Sequence, residues 1–143
     1  MTGVQTCALL IFLTTAECLL SPNRNPHLTE HQIQQKLKQY LGAKKVIWLR
    51  NGYLAGDDTD SHIDTLARLC PSNTICYVAC NDPNDEHYLA LKAMENELKS
   101  LTNIDNNPYR LIALPMPLPI FDAHYGHRLP GTYANFLDRK SVV

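Results

Sequence analysis

Residues 57–64 place four carboxylates (Asp57, Asp58, Asp60 and Asp64) and one imidazole (His62) in eight consecutive positions of a chain in which only 19% of residues are charged. So many like charges in so short a span repel one another unless a cation sits among them. That cation is a metal, a buried Arg or Lys, or a positively charged substrate, and these three leave different traces in the sequence.

His62 and Asp64 are two positions apart. Side chains at i and i+2 share a face in an extended or turn backbone and diverge by about 200° in a helix, so a working pair requires that the segment is not yet helical at His62. An imidazole beside a carboxylate is held in one tautomer with its protonated form favoured, which suits general acid–base chemistry near neutral pH. A carboxylate free of that duty can accept two hydrogen bonds from a guanidinium. A calcium loop is excluded, since counting from Asp58 its sixth and twelfth positions are Ile63 and Leu69 instead of Gly and a carboxylate. A transition-metal site lacks a second histidine at i+2 or i+4, the nearest others being His31 and His87. An acidic, solvated loop capping a following helix accounts for the pattern without any ligand.

The elements that position the cluster follow from periodicity. Thr29 and Gln32 form a capping box, with Ile33, Leu37, Tyr40 and Leu41 at helical spacing and Gly42 as the left-handed exit. Residues 45–50 read as a buried strand with Trp48 in the core, so the cluster follows a strand's C-terminal end, where α/β folds place ligands. Before them, residues 13–20 read as a short strand and turn, and the two prolines and two asparagines of residues 21–27 mark a loop whose one cation, Arg24, reads as a solvated or loop-tethering side chain. After the cluster, Ile63, Leu66, Ala67 and Leu69 suggest a short helix closed by Pro71, Ser72 and Asn73. A strand over 74–80, a helix from about 85 to 100 and a strand over 109–114 come next. The prolines of residues 115–119 force an extended segment, and residues 131–137 read as a fourth strand with Tyr133 and Asn135 on one face, able to point at the cluster. The helix–strand passage recurs after roughly 60 residues without sequence identity, a repeat of pattern alone. The fold class is α/β.

At 143 residues the chain suits one domain. A net charge of −1 offers no basic surface, so neither nucleic acid nor an anionic membrane is expected as a partner, and apolar runs of at most about seven residues are too short to span a bilayer. Five cysteines without a C-x-x-C pair read as reduced packing residues of a cytoplasmic protein. Both ends look foreign: residues 2–9 and 138–143 resemble conceptual translations of paired sequencing adapters, so residues 1–12 and 138–143 are expected to be non-native and residues 13–137 an internal piece of something longer.

Several blocks resemble the agmatine deiminase family, relatives of the Porphyromonas-type peptidyl-arginine deiminases. They are residues 19–28 (LLSPNRNPHL), 45–49 (KVIWL), 56–68 (GDDTDSHIDTLAR), 114–117 (LPMP) and 128–136 (RLPGTYANF), in family order from about residue 13 to 137. The resemblance implies a five-module α/β-propeller of the pentein type, of which this chain would supply about two modules, as part of a catalytic domain. It implies hydrolysis of agmatine to N-carbamoylputrescine and ammonia, in putrescine and polyamine biosynthesis, with no cofactor and no metal. His62 matches the family's proton-shuttling histidine and Asp64 its guanidinium-gripping aspartate. Asp60, and Asp58 with it, match the motif as frame residues, Asp60 with a weak substrate-binding role. The family nucleophile is a cysteine in a C-terminal glycine-rich segment that nothing here resembles, so this polypeptide alone is expected to be inactive. The alternatives are a non-catalytic acidic module that binds arginine-like or polyamine cations, and a peptidyl-arginine deiminase. A homo-oligomer is possible for the full-length protein.

Overall fold

The computed structural model describes residues 11–57 and 61–136. β1 (Ile11–Thr15) pairs in parallel with β2 (Lys45–Leu49), from Ile11 opposite Lys45 to Thr15 opposite Leu49. The connection holds α1 (Ala16–Leu20), the proline–asparagine loop and α2 (Glu30–Leu41). α3 (Ile63–Leu66) leads directly into β3 (Ala67–Cys70), which pairs antiparallel with β4 (Thr74–Ala79). From β4 the chain crosses through α4 (Tyr88–Lys99) to β5 (Arg110–Pro115), which pairs in parallel with β4. The architecture is mixed α/β: two parallel β–α–β units, one in a two-stranded and one in a three-stranded sheet, and the described residues form no closed propeller.

One core unites the sheets. Ile47 and Leu49 of β2, Ile75 and Val78 of β4, and Leu91, Met94 and Leu98 of α4 belong to a single buried cluster with Leu54 and Leu66, and α4 packs against both β2 and β4. Trp48 is buried, with Nε1 donating to Gln34 Oε1 at 3.2 Å. No helix among the described residues is long and apolar enough to cross a membrane.

α2 forms as its ends dictate. The Thr29 hydroxyl accepts from the Gln32 amide at 3.3 Å, the Gln32 side chain accepts from the Thr29 amide at 2.8 Å, and Gly42 leaves the helix at φ +68°. Thr29→Ala is therefore expected to cost about 1 kcal/mol, read as a lower urea midpoint with an unchanged slope.

Three sequence expectations are corrected. The first strand takes in Ile11 and Phe12 and ends in the single helical turn of α1, capped by Thr15 Oγ1 accepting from Cys18 N at 3.2 Å, in place of a turn. The helix after the cluster stops at Leu66, because Ala67 and Leu69 are buried in alternation with Arg68 and Cys70 as a strand requires. The chain then reverses through left-handed Ser72 and Asn73, at φ 57° and 54°. Residues 131–136 form no strand: Ala134 N donates to Thr132 Oγ1 at 3.0 Å and Phe136 N to the Ala134 carbonyl at 3.1 Å. Such local bonds displace ladder pairing. Residues 1–10 and 137–143, with most of the two suspected foreign ends, lie outside the described residues.

Candidate active site

The acidic run leaves β2 through a loop tied down by α4. Glu97 accepts from Arg50 N at 2.9 and 3.0 Å, and from Asn51 N and Nδ2 at 3.0 Å each. Gly52 follows at φ +129°, where an added Cβ would meet Leu66 Cδ1 at 2.9 Å. Ala55 N donates to His87 Nε2 at 2.8 Å, and the buried His87 ring donates through Nδ1 to Asp85 Oδ1 at 2.6 Å. Asp85 Oδ2 accepts in turn from Arg128 Nη2 at 2.9 Å. Burial opposes ionisation of Asp85, but the Arg128 guanidinium and the His87 backbone and ring donors outweigh it and hold the carboxyl at about 2. Both ring nitrogens of His87 are thus committed to protein partners, which removes it as a metal ligand. Among the described residues no three His, Cys, Asp or Glu side chains gather so as to hold a metal ion.

Asp58 and Asp60 lie outside the described residues. The chain resumes at Ser61, buried and left-handed at φ 51°. Its carbonyl accepts from Thr15 Oγ1 at 2.8 Å and its hydroxyl donates to Glu17 Oε2 at 2.8 Å. His62 is extended (φ −61°, ψ 137°) as the N-cap of α3, whereas Asp64 lies within the helix's first turn. The backbone is therefore non-helical at the imidazole and helical at the carboxylate. Both side chains are half-buried.

Each has a partner from a distant part of the chain. Arg24 Nη2 donates to His62 Nε2 at 2.7 Å. Arg24 sits on a turn closed by its own amide and that of Asn25 onto the Ser21 carbonyl, at 3.0 and 3.1 Å, while Asn25 Nδ2 donates to the Leu19 carbonyl at 2.8 Å. A guanidinium has donors alone, so His62 Nε2 presents its lone pair to Arg24 and the neutral ring carries its proton on Nδ1. Asp64 Oδ2 accepts from Asn135 Nδ2 at 3.4 Å. Arg68 holds that segment by stacking on the Phe136 ring, 4.9 Å from its centroid, and by donating to the Phe136 carbonyl.

Arg24 is the site residue that sequence reasoning passed over. The one signal for it was a lone cation in a loop stiffened by two prolines. Asn135 does reach the cluster, though from a bend instead of a strand. The cysteines offer little to chemistry. Cys18, Cys76 and Cys80 are buried, and burial, with the Cys70 thiol 3.5 Å away, pushes the Cys76 thiol up to about 11. Cys7 lies outside the described residues.

Fold and site together define a mixed α/β protein with an imidazole and a carboxylate at the C-terminal end of a parallel strand pair. The family model for Porphyromonas-type peptidyl-arginine deiminases matches residues 10–143. An agmatine deiminase of Medicago truncatula is 34% identical over 94% of this chain and 39% of its own length. A C. jejuni agmatine deiminase carrying a cysteine-to-serine substitution, with substrate bound, superposes with a TM-score of 0.85 at 45% identity over 94% of this chain and 38% of that one. The unsubstituted C. jejuni enzyme gives 0.81 at 43% identity, over 94% and 37%. The chain belongs to the Porphyromonas-type peptidyl-arginine deiminase family, and it spans about two fifths of the length of these relatives.

Proposed function

We propose that this chain is the His62- and Asp64-bearing part of an agmatine deiminase, a cytoplasmic enzyme supplying polyamine synthesis, in which it forms about two of five modules of an α/β-propeller and residues 13–137 are its native portion. The complete enzyme hydrolyses agmatine to N-carbamoylputrescine and ammonia. A cysteine thiolate from a part of the enzyme not in this chain adds to the guanidinium carbon and one C–N bond breaks as ammonia leaves with a proton. Water then adds to the amidino-thioether, and cleavage of the C–S bond returns the thiolate and the ureido product. His62 carries protons to the leaving nitrogen and from the attacking water, while Asp64 holds the guanidinium N–H groups and fixes positive charge on the carbon under attack. Asp60 helps to frame the same group.

One observation carries this reading: His62 Nε2 already accepts a hydrogen bond from a guanidinium N–H, that of Arg24, at 2.7 Å. That is the contact through which an imidazole exchanges protons with a guanidinium substrate. Names of relatives support agmatine as the substrate, and the serine-substituted, substrate-bound relative supports a cysteine nucleophile. The burial of Cys18, Cys76 and Cys80 supports placing that nucleophile outside this chain.

Calorimetry of the 143-residue chain against agmatine and putrescine tests the proposal. Agmatine is expected to bind weakly, putrescine at least tenfold more weakly for want of a guanidinium, and Asp64→Asn to weaken agmatine by tenfold or more, the loss of one charged hydrogen-bonding partner. Equal binding of both amines would instead assign an acidic polyamine module. No ureido product is expected from the chain alone, and turnover that His62→Ala abolishes would place a nucleophile within it.

A further inference from the structure

The loop that carries the acidic cluster leaves β2 after Leu49, which lies opposite Thr15 in the parallel register. It comes back to the same place at Ser61, whose carbonyl and hydroxyl are both held from the β1–α1 junction. We infer that Thr15 and Glu17 are positioning residues that act through Ser61 to fix the direction of the His62 imidazole; the inference rests on the reading of His62 as the proton carrier.

The Thr15 hydroxyl has one proton and two lone pairs. Its oxygen accepts from Cys18 N at 3.2 Å as the cap of α1, so its proton is free to lie along the 2.8 Å line to the Ser61 carbonyl. The cap therefore fixes the rotor that holds the loop. Glu17, in the first turn of α1, takes the Ser61 hydroxyl with a charged acceptor at 2.8 Å, which makes the bond stronger than a neutral one. Ser61 needs both ties. A residue with a Cβ is disfavoured at φ 51°, and such a conformation persists where surrounding structure over-determines it. The residue immediately after it is His62, whose carbonyl is taken by Thr65 Oγ1 at 2.7 Å and Thr65 N at 3.2 Å. The backbone on both sides of the imidazole is thus bonded, from α3 ahead and from the β1–α1 junction behind. The side chain is left to reach Arg24, its hydrogen-bond partner among the described residues. Among the described residues Thr15 and Glu17 reach Ser61, through its carbonyl and its hydroxyl, and not the imidazole or Asp64, so their effect passes through Ser61.

The test is the tautomer of His62, read from imidazole ¹⁵N spectra of the 143-residue chain at neutral pH and assigned by difference with His62→Gln. In the native chain the proton is expected on Nδ1, with Nε2 showing the shift of an unprotonated acceptor. Glu17→Ala and Thr15→Val are each expected to lose that preference and give the mixture of tautomers of a solvated imidazole. Glu17→Gln, which keeps an oxygen for the Ser61 hydroxyl, and Thr15→Ser, which keeps the hydroxyl, are expected to restore it. Should Glu17→Ala fail to fold, Ser61→Ala removes the same bond without adding bulk. A native tautomer in any well-folded Glu17→Ala, Thr15→Val or Ser61→Ala chain overturns the inference, as does a Thr15→Ser chain that behaves like Thr15→Val. No substrate enters this measurement. Loss of the tautomer in a chain that ignores agmatine would leave the brace standing and sink the proposed function, and the reverse result would do the opposite.

Discussion

Gly56→Ala is expected to lower stability by about 3 kcal/mol, the sum of left-handed strain on a residue with a Cβ and of overpacking. Gly56 sits at φ +78°, and a Cβ built there lies 2.1 Å from the Arg128 carbonyl oxygen and 3.3 Å from Pro130 Cδ. The obstruction is backbone, which cannot rotate away. Nor is that backbone free to withdraw, because Arg128 is bridged to Phe121 and its guanidinium is held by Asp85 and Glu86 at 2.9 and 3.1 Å. Gly42→Ala is the control: φ is +68° there too, but nothing lies within 4 Å of the new Cβ, so about 1 kcal/mol is expected. Urea unfolding of both variants separates the contributions, with midpoints expected about 1–2 M and about 0.5 M lower at ordinary slopes. Equal losses would mean that the segment around Arg128 yields easily and does not brace the loop. Because Gly56 immediately precedes the acidic run, the same measurement reports how firmly the site's frame is held.

What was legible in the sequence was what depends on near neighbours. Thr29, Gln32 and Gly42 specify both ends of α2 through contacts within four residues, and the amphipathic spacing from Tyr88 to Leu98 marks α4 in the same way. The two helix-then-strand passages, read as a pattern without identity, are the second halves of the two parallel β–α–β units. Strands need a partner, and there the reading failed. Residues 67–70 carry apolar side chains at spacings that fit a helix or a strand, and only pairing with β4 decides between them. Residues 131–136 alternate correctly but find no partner among the described residues, and the Thr132 hydroxyl takes the Ala134 amide instead.

The site shows the same division. His62 and Asp64 could be picked out from type and spacing, whereas their contacts with Arg24 and Asn135 span 38 and 71 positions and leave no local trace. The expectation attached to His62 and Asp64, an imidazole fixed by a carboxylate two residues away, is met in the structure at Asp85 and His87, 2.6 Å apart. Residue spacing cannot separate the two cases. Burial and the second ring nitrogen do: His87 is enclosed and spends Nε2 on the Ala55 amide, while His62 is half-open and turns Nε2 to a guanidinium.

Asp85→Asn is expected to cost about 2 kcal/mol at pH 7 and almost nothing near pH 2. Burial raises the carboxyl's pKa, but the donors of Arg128 and His87 more than reverse this and bring it to about 2, against an ordinary 3.8. A difference of nearly two units is worth about 2.4 kcal/mol at 1.36 kcal/mol per unit, and with the side chain 15% exposed we take about 2. The sign follows from proton counting. Between pH 3.8 and 2 the unfolded chain binds the proton that the folded chain refuses, so stability is complete above about pH 4 and falls as pH drops toward 2. Asparagine cannot titrate, so its variant should lack this part of the acid-induced loss, and the stability curves of the two chains should converge at the acid end. Parallel curves from pH 7 to 2 would show that the carboxylate gains nothing from Arg128 and His87. The consequence reaches the site, because Asp85 orients the ring that holds the Ala55 amide at 2.8 Å, two residues before Asp57. The amide oxygen of the substituted side chain can still accept from His87 Nδ1, but it offers Arg128 no charge. The variant should therefore keep the loop in place at neutral pH while loosening the Arg128 segment that closes over Gly56.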